Sequence, residues 1–230
     1  MEALQGRFRE RAGRDLELLR RHLAADELAV AAVEETAHKL AGTAAIFGFA
    51  EVGEAARAVD RIFSAGGRPD REVLEALIAR LAEAARRGAA EASPRDAPIA
   101  PGRGETVLLV EDDDLIRTHA ERQLRSFGYK VIAAADGDAL LAGLETLPPV
   151  DLLFTDLMLP GAADGRALAR AMKQARPDLR VLFTSGRAAD VGAGSMPGDC
   201  LAKPYRRDAL AEKVRAVLDA GSRRAEESGT

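Results

Sequence analysis

Residues 106–113 read Thr-Val-Leu-Leu-Val-Glu-Asp-Asp, and residues 150–156 read Val-Asp-Leu-Leu-Phe-Thr-Asp. Each is a short, nearly continuous apolar run that ends on carboxylates. Runs this short, rich in β-branched and aromatic residues, suit strands buried on both faces better than helices. Similar runs follow at Lys130–Ala134, Leu179–Thr184 and, weakly, Cys200–Ala202. Between them lie stretches with helical periodicity: Leu115–Phe127, Ala139–Leu147, Arg166–Ala175 and Asp208–Ala220. Alternating strands and helices imply an α/β doubly wound, five-stranded parallel sheet with helices on both faces.

In such sheets ligands bind beyond the carboxyl ends of the strands, so the residues standing there matter. The first strand runs into Glu111-Asp112-Asp113-Asp114 and the third into Asp156, while the fourth ends at Thr184-Ser185 and the fifth at Lys203-Pro204. Folding would bring several carboxylates, a hydroxyl and an ammonium to one rim. Two bare charges 4 Å apart repel by about 4 kcal/mol at an effective dielectric near 20. Clustered carboxylates therefore either shift their pKa values or bind a cation. An all-oxygen ligand set suits Mg²⁺, which keeps several waters and accepts phosphate oxygens. Singly, the residues have plainer readings: a helix-capping cluster at 111–114, a turn aspartate at 156, a solvated lysine at 203. Jointly, at strand ends in this order, they point to a clamp for a transferring phosphoryl group.

The motifs Val-Leu-Leu-Val-Glu-Asp-Asp (107–113), Leu-Phe-Thr-Asp-Leu-Met-Leu-Pro-Gly (153–161), Leu-Phe-Thr-Ser-Gly (182–186) and Lys-Pro-Tyr (203–205) together resemble the receiver domain of two-component response regulators. That resemblance implies a flavodoxin-like fold with Asp156 as phosphoryl acceptor. It implies Mg²⁺ held by Glu111, Asp112, Asp156 and the main-chain carbonyl of Met158. Thr184 and Lys203 would contact the phosphoryl oxygens, and Tyr205 would occupy the position of a conformational reporter. Asp113 could replace Glu111 in the acidic pair if the strand ends one residue later. The resemblance also implies a cis Lys203–Pro204 bond. The glycines 186, 192, 194 and 198 predict that the helix between Thr184 and Lys203 is short, mobile or missing.

The first part of the chain has another rhythm. Up to residue 92 it is rich in Ala, Leu, Arg and Glu, with apolar residues at helical spacing. Examples are Leu16, Leu19 and Leu23, then Val33, Ala37, Leu40, Ala44 and Phe47, then Leu74, Leu77, Ile78 and Leu81. Asp26 and Asp70 are candidate N-caps, and Gly48 and Gly66-Gly67 are candidate stops. Four amphipathic helices with short connections predict an all-α, up-down four-helix bundle. The domain plan is thus a bundle over 1–92, a Pro/Gly linker over 93–104, the α/β domain over 105–221 and a flexible tail over 222–230.

Of the three histidines, His22 and His119 lie among polar neighbours and read as surface residues. His38 stands in Thr-Ala-His-Lys-Leu-Ala-Gly-Thr-Ala-Ala-Ile-Phe-Gly (36–48), one helical step off the apolar stripe, on a face shared with Ala41 and Gly42. Glycine inside a helix costs about 1 kcal/mol relative to alanine, and beside a histidine it makes space for a phosphoryl group or another protein. Neutral imidazole is nucleophilic near pH 7. The plainer reading is a surface histidine on a bundle helix. His38, Leu40, Gly42 and Gly48 resemble the motif of the histidine phosphotransfer (HPt) domain, with Ala41 where lysine is frequent and Lys39 beside the histidine. That resemblance implies a phosphohistidine at His38.

Composition sets outer limits. A net charge of −4 gives no support for nucleic-acid binding. One cysteine, Cys200, excludes an internal disulfide and reads as a small buried residue. No apolar run approaches the ~18 residues of a membrane span, so a cytoplasmic protein is expected. The expected function is a phosphorelay in which phosphoryl groups pass between His38 and an aspartate, Asp156 or that of a partner receiver. Expected partners are a histidine kinase and other receiver or HPt proteins, with oligomeric state open. Lacking a nucleotide-binding glycine motif, the chain is expected to be a phosphotransfer intermediate rather than a kinase, and its length excludes a hybrid histidine kinase. An aspartate-based phosphatase is the enzymatic alternative, although Met158 stands where such enzymes carry a second acid. A phosphorylation-independent scaffold is the other alternative.

Overall fold

The computed structural model describes residues 2–24, 30–86, 102–161, 164–186 and 199–227, with backbone alone from 221 onward. The chain divides into two compact units between Pro94 and Arg95. Asp26, most of the linker and residues 187–198 of the glycine-rich segment lie outside the described residues.

The first unit contains α1 (Glu2–Ala24), α2 (Val30–Thr43), a 3₁₀ turn (Ala44–Phe47), α3 (Ala50–Ser64) and α4 (Arg71–Arg86). Helix α2 packs along α3, and α1 along α4. The stripes read from the sequence form the core: Leu16, Leu19, Val33, Ala37, Leu40, Leu74, Leu77 and Leu81 are all buried. Phe8 fills the centre, stacked 4.8 Å from Phe49 and tilted 5.8 Å from Phe47. Gly48, at φ 90°, lets the chain turn from the 3₁₀ segment into α3, a backbone state that a side chain would strain. Asp70 caps α4 by accepting from the Val73 amide at 2.9 Å.

The second unit is a five-stranded, fully parallel sheet in the order β2-β1-β3-β4-β5. Its strands are β1 (Thr106–Val110), β2 (Lys130–Ala134), β3 (Leu152–Asp156), β4 (Arg180–Ser185) and β5 (Asp199–Ala202). Helices α5 (Asp114–Ser126) and α8 (Arg207–Glu227) flank one face, and α6 (Gly137–Ala142) and α7 (Gly165–Ala175) the other. Alternate residues of β1 serve the two layers: Val107 and Leu109 face α5 and α8, while Leu108 and Val110 face α7. An ion pair closes the unit, with Arg215 of α8 donating to Glu105, just before β1, at 2.6 Å.

Four expectations are corrected. The helix expected over 139–147 breaks at Gly143 into α6 and a 3₁₀ turn over Leu144–Thr146. The expected tail instead continues α8 to Glu227, because arginine, alanine and glutamate after Gly221 are good helix formers. Cys200 is only half-buried, since β5 is an edge strand. His119 is buried, at 6% exposure. Its polar neighbours in sequence point elsewhere, and it lies three residues from Ile116 on the stripe that runs through Ala120 and Leu124.

Burial pushes the His119 imidazole down to about 4, with the Arg122 charge adding to the effect. A histidine that is neutral in the fold and near 6.5 when unfolded favours folding above pH 6.5, and that contribution disappears as pH falls toward 4. Thermal and urea unfolding of wild type and His119→Gln between pH 7.5 and pH 4 should therefore show wild type losing up to about 3 kcal/mol relative to the variant as pH falls. Parallel curves would show that His119 titrates normally.

Candidate functional site

The strand order places β1 and β3 side by side with their connections running to opposite faces, which opens a crevice beyond their carboxyl ends. Glu111, Asp112 and Asp156 converge there, each offering a carboxylate oxygen within 4.8 Å of the others. Glu111 and Asp156 are buried, at 3% and 6% exposure. From the loop after β5, Lys203 donates to Glu111 Oε2 at 2.6 Å and to Asp156 Oδ2 at 2.5 Å. The other Asp156 oxygen accepts the Met158 amide at 3.0 Å. Thr184 is buried and pairs in register with Asp156 across β3 and β4. The Lys203–Pro204 bond is cis, and the Lys203 amide donates to Ser185 at 2.7 Å. Tyr205 turns inward, edge-on to Phe154 with ring centres 6.2 Å apart, and burial raises its phenol above the usual range.

Asp113 does something else. Its carboxylate caps α5 by accepting from the amides of Leu115 (2.9 Å) and Ile116 (3.3 Å). The capping and acidic-pair readings of 111–114 thus both apply, to different residues, and the convergent pair is Glu111 and Asp112.

Burial, reinforced by the charges of Asp156 and Asp113, pushes the Glu111 carboxyl up to about 8 against the lowering pull of Lys203. Lys203 is held above the ordinary lysine range: burial alone would lower it, but Asp156 and Glu111 outweigh burial. One ammonium thus faces three acids, and the rim is short of positive charge. Its donors are all carboxylate oxygens, the chemistry that suits a hard divalent cation.

In the bundle, His38 lies on α2 with its side chain 25% exposed. Its Nδ1 is 3.0 Å from Oδ1 of Asp60 on α3, and Asp60 is 6% exposed. A carboxylate oxygen accepts, so Nδ1 is the donating nitrogen, and in the neutral ring Nε2 is then the one with the lone pair. The face following His38 is covered rather than open, which corrects the expected cleft at Gly42: Ala41, Gly42 and Thr43 are buried. Small side chains there let α3 come close, and Arg57 of α3 donates to the Ala41 carbonyl at 3.2 Å. Lys39 pairs with Glu35 at 2.7 Å.

Comparison with known proteins finds a family for each unit. The model of the response regulator receiver domain matches residues 107–215, and that of the Hpt domain matches residues 3–88. The receiver protein CpdR of Brucella abortus is 32% identical over 116 residues, which span 49% of this chain and 95% of that protein. This chain belongs to the two-component phosphorelay proteins. It joins an HPt domain to a response regulator receiver domain. The sensor kinase CckA of Brucella abortus is 39% identical over 119 residues, 50% of this chain but 12% of the kinase. The chain spans about half the length of several other curated relatives. A crystal structure of NtrX from Brucella abortus is 29% identical with a TM-score of 0.50, covering 55% of this chain and 29% of that one.

Three residues of this phosphorelay protein escaped the sequence reading. Asp60 carries no motif, and only the packing of α2 on α3 brings it to His38. Arg117, one turn into α5, donates to the Glu111 carbonyl at 2.8 Å and to the Asp112 carbonyl at 3.2 Å, which fixes the backbone that presents both acids. Gly165 opens α7 directly beneath the acceptor: a Cβ there would lie 2.0 Å from the Asp156 carbonyl oxygen. The helical stretch read from the sequence begins at Arg166, and no spacing marks Gly165 as a close approach.

Gly165→Ala must therefore displace either α7 or the acceptor loop. A loss of about 1–3 kcal/mol in urea unfolding is expected, the usual cost of overpacking. An unchanged midpoint would show that the loop has slack.

Proposed function

We propose that this protein relays phosphoryl groups between His38 of its HPt domain and an aspartate, either its own Asp156 or that of a partner receiver. The observation that carries the reading is the convergence of Glu111, Asp112, Asp156 and Lys203 on one rim. Asp156 is the acceptor: one oxygen is engaged by the Met158 amide and the other by Lys203, so its position is fixed before any phosphoryl group arrives. Glu111, Asp112, Asp156 and the main-chain carbonyl of Met158 would hold Mg²⁺, which supplies divalent charge to the phosphoryl oxygens. Lys203 holds an equatorial oxygen and Thr184 donates to another, as phosphoryl transfer with little covalent help from the protein requires. Tyr205, edge-on to Phe154, takes the part of the conformational reporter.

On the histidine side, Asp60 holds Nδ1–H so that Nε2 meets the phosphorus. A histidine kinase, or another receiver or HPt protein, supplies or takes the group. The relay reading carries a cytoplasmic location with it, where the nucleoside triphosphate that charges the first histidine is found. The bundle contributes a positioned nucleophile and the receiver most of the electrostatics.

The test follows label from acetyl phosphate into the full chain, with the two bond types separated by acid and base stability. Wild type and His38→Ala should acquire a base-labile acyl phosphate, and Asp156→Ala should not. Chelation of Mg²⁺ should slow labelling by about a hundredfold. In a second assay with a panel of candidate histidine kinases and partner receivers, His38→Ala should lose the acid-labile phosphate. Wild-type labelling of Asp156→Ala by acetyl phosphate would defeat the receiver half of this reading.

A further inference from the structure

We propose that Arg117 sets how tightly the rim holds its divalent cation, by fixing the backbone that presents Glu111 and Asp112. This rests on the Mg²⁺ reading of the rim. It makes Arg117 a positioning residue, because its bonds run to the chain behind the acids.

The acids stand at a join between two regular structures. Val110 is the last residue of β1, and Asp113 is already the cap of α5. Only Glu111 and Asp112 lie between, in neither strand nor helix. On the sheet side, the Glu111 amide donates to the Ala134 carbonyl at 3.1 Å and extends the pairing with β2 by one residue. On the helix side, the Asp113 carbonyl accepts the Arg117 amide at 2.8 Å, the first bond of the helical ladder.

The carbonyls of Glu111 and Asp112 point to Arg117 instead. Side chains in a helix lean toward its N-terminus, so a residue one turn in can reach back over the cap. One guanidinium nitrogen receives both carbonyls, Glu111 at 2.8 Å and Asp112 at 3.2 Å, and so ties two successive peptide groups. The other nitrogen donates to Asp114 at 2.9 Å. The Arg117 side chain is only 19% exposed there, and its planar fork is held on both sides.

Holding the backbone holds the ligands. An aspartate side chain is short, so turning the peptide on either side of Asp112 swings its carboxylate directly. Glu111 has a second tether, since Lys203 donates to its Oε2 at 2.6 Å. The effect of Arg117 therefore falls most heavily on Asp112. Mg²⁺ demands near-octahedral oxygens at about 2.0–2.1 Å, so small displacements of a ligand are costly.

Charge gives the proposal a sign that can be checked. A guanidinium near a cation site repels the cation, and if charge alone mattered its removal would tighten binding. Positioning predicts the opposite. Groups that orient metal ligands are worth about ten- to a hundredfold in affinity. A part-exposed charge already paired with an acid counts for much less.

Mn²⁺ is the probe, titrated into the full chain with the unbound ion read from its electron paramagnetic resonance signal. Mg²⁺ is then added as competitor, and Asp112→Ala defines the share of binding that belongs to the rim. Arg117→Met keeps an unbranched stem without a donor, and should raise the Mn²⁺ dissociation constant by about tenfold. Arg117→Lys, with a single ammonium in place of the fork, should raise it by about threefold. Urea unfolding without metal confirms that each variant is folded under the titration conditions. In a folded chain, lost stability alone leaves the dissociation constant where it was. An Arg117→Met chain that binds Mn²⁺ as tightly as wild type, or more tightly, overturns the proposal. Should that variant not fold, Arg117→Lys decides, and wild-type affinity in it overturns the proposal equally. Wild type that binds no better than Asp112→Ala removes the metal reading of the rim itself, and this inference with it.

Discussion

The Lys203 ammonium lies between Glu111 and Asp156, at 2.6 and 2.5 Å, in a place that excludes water. Few arrangements tolerate this. A buried charge stripped of its partner costs several kcal/mol, and removing one member of such a pair is far more damaging than replacing both. The three groups come from the ends of β1, β3 and β5, so the ammonium is stable only when those strands stand in one order and one register. The loop after β5 must also reach back across β4, which the hydrogen bond from the Lys203 amide to Ser185 secures. Fold and site are the same constraint seen at two scales.

The bundle solves a different problem. There the imidazole is oriented by a hydrogen bond that its Nδ1 donates to the Asp60 carboxylate. Its accuracy comes from helix packing: the small residues of α2 set how near α3 can come, and the α3 register then selects which side chains look across. A buried Asp60 aligned with a half-exposed His38 is what one turn of such packing delivers.

Much of this was legible in the residues. The apolar runs gave strands within two residues of their observed ends, because a buried parallel strand has little freedom of composition. Acids at strand ends could be assigned to one rim, since alternating strands and helices imply a parallel sheet whose carboxyl ends share one side. The misreadings share a cause. His119 was judged by its neighbours along the chain, whereas a helix sets it beside Ile116 and Ala120. Gly42 was read as space beside the histidine, whereas it is buried. Asp60 and Arg117 act through distances that no spacing rule encodes: one bond spans 22 residues, and the other ends on backbone carbonyls. Sequence periodicity tells which way a side chain points, not what a second element brings to meet it.

The ion pair between Glu105 and Arg215 joins groups 110 residues apart. It ties the first turn of chain before the sheet to the middle of the last helix, much as a buckle joins two ends of a belt. Closing so long a loop carries an entropic cost that grows only slowly with length, so a single contact at the ends can bracket the whole α/β unit. Peeling α8 away would release the entry to β1 at the same time, and the edges of the unit are therefore bound to come undone together rather than one by one.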